Sequence, residues 1–156
     1  MSSSFGFQTN KEKSLASGLK VASDNNVLYA PPVGFHLVST VDTASAVTLT
    51  ARQVLGGMIL QDPAGGAVTT TLPTAAEVVK HMRGSRTNSS VRFIIRNIAD
   101  AAETITVAAG TGITSASGNT LTVGQNATAE YLLVVTNAVS GSEAATLYTL
   151  SSAGTH

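Results

Sequence analysis

Three histidines, His36, His81 and His156, are the only side chains here suited to act as a base near neutral pH, and there is no cysteine. Hydrolytic catalysis needs a nucleophile, a base beside it and a group that orients the base. His156 is terminal and His36 lies in a polar leading segment. His81 is placed to close a helix, where the dipole favours a cation. No two histidines stand at metal-ligand spacing, and the lack of cysteine excludes disulfides and thiolate metal sites. Asp100 and Glu103 share a turn, but two carboxylates fall short of the roughly six oxygens that calcium takes. Gly110-Thr111-Gly112 lacks the third glycine and the strand-to-helix setting of a dinucleotide site, and there is no phosphate-loop lysine. Lys80, Arg83, Arg86, Arg92 and Arg96 form a basic stretch with no acid in it. Its one aromatic, Phe93, alternates inward, so no platform for stacking bases is visible. A carboxylate pair for sugar hydrolysis depends on a separation in space that spacing does not give. The expectation is a protein that binds and does not catalyse, with no cofactor and no metal.

The elements that would position any binding surface centre on Val91–Ile98, VRFIIRNI. Branched and aromatic residues at period two predict a strand. Val91, Phe93 and Ile95 point to one face, an ordinary core. Arg92, Ile94, Arg96 and Ile98 point to the other, a mixture that suits a face half covered by another surface. Tyr131–Asn137, YLLVVTN, has the same plan. Each run ends at an Asn and leads through a polar turn to a Thr-rich strand, giving two expected hairpins, VRFIIRN with ETITVA and YLLVVTN with ATLYTL.

Around these runs the pattern is regular. Val47–Leu49, Met58–Gln61, Val68–Leu72, Glu103–Ala108, Thr120–Val123, Ala129–Thr136 and Ala145–Leu150 read as strands, and Gly110–Ile113 as a tight connection. Thr50 with Gln53, and Thr74 with Glu77, match capping boxes and predict two short helices. The first ends at Gly56-Gly57 and the second runs to about Met82. Arg83–Ser90 reads as a polar loop that is mobile or takes a partner. The expected class is mainly β, an antiparallel β-sandwich or jelly-roll-like barrel with two short helices.

Residues 1–45 differ: Ser, Asn, Lys and Gly dominate, and Pro31-Pro32 forces an extended course. This reads as an N-terminal arm, followed by a β domain at 46–151 and a frayed end at 152–156. Four of the chain's seven aromatics, Phe5, Phe7, Tyr29 and Phe35, sit in the arm. With Pro31 and Pro32 they are the candidate anchors on a partner, because aromatics that cannot form their own core bury against something else. Gly34–Val38 is a possible short strand.

Net charge is +0 and only 12% of residues are charged, so nothing global favours nucleic acid or an anionic membrane. No apolar run is long enough to span a bilayer, and the polar start does not resemble a signal peptide. Charge is nonetheless segregated. After Arg96 there is no Lys or Arg, while Asp100, Glu103, Glu130 and Glu143 follow. Strand ends could hold these apart in solvent, or a basic segment of one copy could meet an acidic edge of another. On the second reading Arg83, Arg86, Arg92, Arg96, Glu103 and Glu130 are subunit-interface candidates.

Taken in series, LTARQVLGGMIL, TTTLPTAAEVV, VRFIIRNIADAAETITVAAGTGI, NTLTVGQNATAEYLLVVTN and ATLYTL resemble the small β-sandwich proteins that decorate or cement the capsids of tailed phages. The resemblance covers residues from about 47 to 150. It implies a virion structural protein, made in the host cytoplasm and seated on the outer capsid surface. There it would act as a homotrimer that bridges neighbouring copies of the major capsid protein, without a small-molecule substrate. Related β modules occur in phage tails and fibres, so the alternative is a module that binds a host surface glycan. The scarcity of aromatics outside the arm counts against sugar stacking.

Overall fold

The computed structural model describes residues 36–152. Ten strands and two helices follow in the order β1 (Leu37–Asp42), β2 (Val47–Thr48), α1 (Ala51–Gly56), β3 (Gly57–Asp62), β4 (Val68–Thr71), α2 (Ala75–His81), β5 (Ser90–Asn97), β6 (Ile105–Ala108), β7 (Ile113–Ser115), β8 (Thr122–Val123), β9 (Thr128–Asn137) and β10 (Ala144–Ser152). With 46% strand and 11% helix among the described residues, the fold is mainly β, as its branched, Thr-rich composition predicts.

The two sheets have the orders β1-β3-β5-β9-β10-β7 and β2-β4-β6-β8. From β1 to β6 the chain alternates between them, and each pass lays a strand parallel to the last one in the same sheet. β9 then inserts between β5 and β10, antiparallel to both. β7 joins β10 in parallel and β8 joins β6 antiparallel. The wholly antiparallel pairing expected from the sequence does not hold, because both sheets are mixed. Of the two expected hairpins, β9–β10 forms. β5 and β6 lie in different sheets, and β5 pairs instead with β9. The reason is Asn97, the end of β5. Its buried carboxamide donates to Glu103 O (2.9 Å) and Val123 O (3.1 Å) and accepts from Ala99 N–H (3.0 Å). These bonds draw the chain across to the four-stranded sheet.

One buried cluster takes Ile59, Phe93, Tyr131 and Leu147 from the larger sheet, Ile105, Val107 and Val123 from the smaller, and Val54 and Val78 from the helices. Strand alternation produces it: in β9, Ala129, Tyr131, Leu133 and Val135 are buried and the residues between them are not. Both capping boxes form as predicted. Thr50 and Thr74 each accept from the backbone N–H three residues on, and the Gln53 and Glu77 side chains reach back. Gly57, at φ 93°, ends α1 in the left-handed region and opens β3 without a loop.

Several boundaries move. Residues Leu37–Asp42 are paired with β3, and the compact unit begins at His36, so they belong to the β body and not to the arm. Ser152 continues β10 instead of fraying. Ile113 opens a strand, β7, within what read as a connection. The Arg83–Ser90 loop is laced into the body. Asn88 N–H donates to Val135 O (2.8 Å), Val135 N–H to Ser89 O (2.8 Å), and Arg86 N–H to Ser89 Oγ (3.0 Å).

Tyr131 lies across from Phe93 in the β5·β9 ladder, and the rings stack with centroids 5.4 Å apart. Its hydroxyl is buried without a hydrogen-bond partner, and burial pushes the phenol up to about 12 from its ordinary 10.0. The unfolded chain therefore releases this proton at lower pH than the fold does. The contribution is level below pH 10 and is lost as pH rises from about 10 towards 12. Tyr131→Phe removes an unsatisfied polar atom and keeps the stack. It is expected to raise stability by about 1 kcal/mol at neutral pH and to flatten the alkaline decline, as read from urea unfolding at pH 7 to 11.

Candidate interaction surfaces

Side chains that alternate with the core residues of the six-stranded sheet point to its outer face, and the register assembles them into rows. Met58, Ile94 and Glu130 lie side by side on β3, β5 and β9, followed by Leu60, Arg96 and Thr128. Arg92, Leu132 and Tyr148 form a row across β5, β9 and β10. Met58, Leu60, Ile94, Leu132 and Val134 are half-buried, while Val38 and Tyr148 are exposed. The face is thus mixed, with an apolar group on β3, β5 and β9 set among threonines and charges. Arg92 Nε lies 2.8 Å from Glu130 Oε1, a diagonal cross-strand pair within one chain. The arginine side chain is 63% exposed, so the pair adds at most ~1 kcal/mol and leaves the guanidinium free for further partners. Arg96 donates to Thr128 Oγ1 (3.0 Å) and Asn126 O (3.3 Å), which fixes its guanidinium against the sheet.

The other sequence candidates are dispersed. Arg83 and Arg86 are exposed on the loop after α2. Arg83 borders an open depression of about 400 Å³ whose wall includes Met82, Ser85, Ser89 and Ser90. Glu103, expected at a subunit contact, is buried in its own chain at 8% exposure, with Oε2 unpartnered. Asp100, its neighbour in the turn, is exposed. His81 places Nδ1 2.8 Å from Glu77 O at the end of α2, in an exposed setting. Among the described residues no three His, Asp or Glu side chains gather as metal ligands, and no helix is long and apolar enough to cross a membrane. The arm anchors Phe5, Phe7, Tyr29, Pro31, Pro32 and Phe35 lie outside the described residues.

The mixed face of β5 was legible from alternation alone. Its extension over β3, β9 and β10 was not, because it depends on which strands become neighbours. The usable signal was the second apolar set in each strand: Met58 and Leu60, Leu132 and Val134. No known protein family matches the chain, and no curated protein or solved structure shows significant similarity to it.

Proposed function

We propose that the protein is a structural component of a tailed-phage virion that binds the outside of the capsid and bridges neighbouring capsid subunits, acting by contact alone. The observation that carries this reading is the outer face of the six-stranded sheet. A sheet face that presents Met58, Leu60, Ile94, Leu132 and Tyr148, with arginines set among them, has residue types enriched at protein-binding surfaces. It suits a partner that is itself apolar and offers carboxylates to Arg92 and Arg96. The mainly β body supplies a rigid support for that face. The resemblance adds a three-fold arrangement on the shell, where repeated weak contacts gain by avidity.

The test is co-sedimentation of the full chain with assembled capsids of candidate phages. The protein is expected to pellet with shells and raise their resistance to heat. A doubly charged face, Ile94→Asp with Leu132→Asp, is expected to abolish pelleting while circular dichroism stays that of the parent. A chain retained by no shell overturns the proposal. The hydroxyl-lined depression at Met82–Ser90 is where a host glycan would sit on the tail-module reading. No aromatic ring is among its lining residues, which leaves that reading second, and reproducible binding on a glycan array would promote it.

A further inference from the structure

Four strands end the two sheets: β1 and β7 in the larger, β2 and β8 in the smaller. β7 has three residues and β2 and β8 two each, and short edges are a common defence against unwanted pairing. β1 has six, LVSTVD, with no proline or lysine and an unbroken register to β3. Among the described residues a strand flanks it on one side only. Leu37 and Val38, at its start, are 51% and 60% exposed.

We infer that β1 is an association edge on which a second copy of the chain lays its own β1, antiparallel, across a two-fold axis. The backbone is set for this. Thr43 N–H donates to Asp62 O, so odd-numbered residues of this strand turn their polar groups to β3. Those of Val38 and Thr40 alternate towards the open side. The side chains choose a second copy of this chain as the occupant. A two-fold axis normal to the sheet keeps each face on its own side, so paired residue numbers must sum to an even value. Centred on Ser39, the pairing sets Leu37 against the partner's Val41 on the inner face and Val38 against the partner's Thr40 on the outer. It also sets residues 36 and 42 of the two copies opposite each other, although the His36 ring itself lies against Gly57 of its own chain. Of the two registers that overlap most of the strand, the one centred on Thr40 would set Val38 against a carboxylate, which favours the one centred on Ser39. Each Val38–Thr40 pair then exchanges its outward backbone hydrogen bonds, the usual mode of strand addition. The inference stands apart from the capsid reading. The contact closes at two copies, so a three-fold particle would be joined to another through it.

The chain has no cysteine, so Ser39→Cys supplies a single thiol at the axis, facing its own mate in a close, non-hydrogen-bonded pair. With oxidised glutathione it is expected to form a disulfide-linked pair, while Ala64→Cys, in an exposed turn, does not. By sedimentation, Val38→Lys and Thr40→Pro are expected to halve the mass of the full chain. Val139→Lys, equally exposed but in the β9–β10 turn, leaves it unchanged. Amides of Val38 and Thr40 are expected to exchange slowly in the parent and fast in Val38→Lys. A mass that Val38→Lys and Thr40→Pro leave unchanged, or no disulfide from Ser39→Cys, overturns the inference. So does a single-copy protein whose Val38 and Thr40 amides are still protected, since residues of its own chain would then fill the edge.

Discussion

Replacing Asn97 with leucine is expected to lower stability by about 3–5 kcal/mol, seen as a fall in the urea midpoint with the slope unchanged. Leucine fits the volume, so packing is nearly conserved and the loss is polar. The side chain is fully buried and uses its carboxamide three times, on Glu103 O, Val123 O and Ala99 N–H. Removing it strands two buried backbone groups, Glu103 O and Ala99 N–H, each worth ~1–3 kcal/mol of desolvation, and takes a second donor from Val123 O, which keeps its ladder partner Ile105. Asn97→Asp keeps only the acceptor and turns a carboxylate on two carbonyls, so it is expected to cost at least as much. Gln61 is the internal comparison. It is Asn97's register partner on β3 and equally buried, but only its Oε1 is engaged, by Thr70 Oγ1 at 2.8 Å, while Nε2 has no partner. Gln61→Leu strands one group, the Thr70 hydroxyl, but also removes one unsatisfied donor, and is expected to cost about 1 kcal/mol, well below Asn97→Leu. Equal losses at the two positions would mean that polarity alone, and not the stapling of β5 to the second sheet, sets the cost.

That comparison also explains what could be read from the chain. Thr50 with Gln53 and Thr74 with Glu77 announced two helices because a capping box is complete within four residues, and no distant contact can change it. The inward set Phe93 and Ile95 and the mixed set Arg92, Ile94 and Arg96 followed from alternation, which is equally local. The destination of the strand after Val91–Ile98 was not local. A strand, a polar turn and a second strand look the same whether the chain folds back beside itself or crosses to another sheet. The deciding fact is that Asn97 turns inward and finds Glu103 and Val123, one of them in a strand yet to come. The outer face shared this limit. Its apolar members come from strands far apart in the chain, and the Arg92–Glu130 pair exists only because β9 settles beside β5. Segregated charge along the sequence left two readings open, strand ends solvated apart or complementarity between copies, and for this pair the fold instead brings the charges together within one chain.

The same dependence on crossing segments makes a glycine the second sensitive position. Gly110→Ala is expected to cost about 3 kcal/mol, at the upper end for overpacking, because the obstacles are main-chain atoms. A β-carbon there would stand 2.3 Å from Leu72 O and 2.3 Å from Pro73 O. Neither oxygen can retreat. Leu72 N–H is bonded to Ala108 O at 2.9 Å and Ala75 N–H to Thr111 O at 2.9 Å, so the residues leading into α2 are laced to the same stretch they would have to leave. The pair Gly110 and Gly112 thus serves close backbone approach and not phosphate binding. Gly112 is at φ 78°, and its β-carbon would meet Glu143 O at 2.8 Å. Two controls separate crowding from conformation. Gly118, at φ 79° with nothing within 4 Å, should lose only the roughly 1–2 kcal/mol of a left-handed alanine. Gly66, with open space and no positive φ, should be neutral or gain up to about 1 kcal/mol from a stiffer unfolded chain. Thermal unfolding of the three alanine variants should therefore rank Gly110 lowest, then Gly118, then Gly66. A Gly110→Ala protein as stable as Gly66→Ala would mean that the 72–75 and 108–111 segments part freely, and that the crossing between the sheets is held elsewhere.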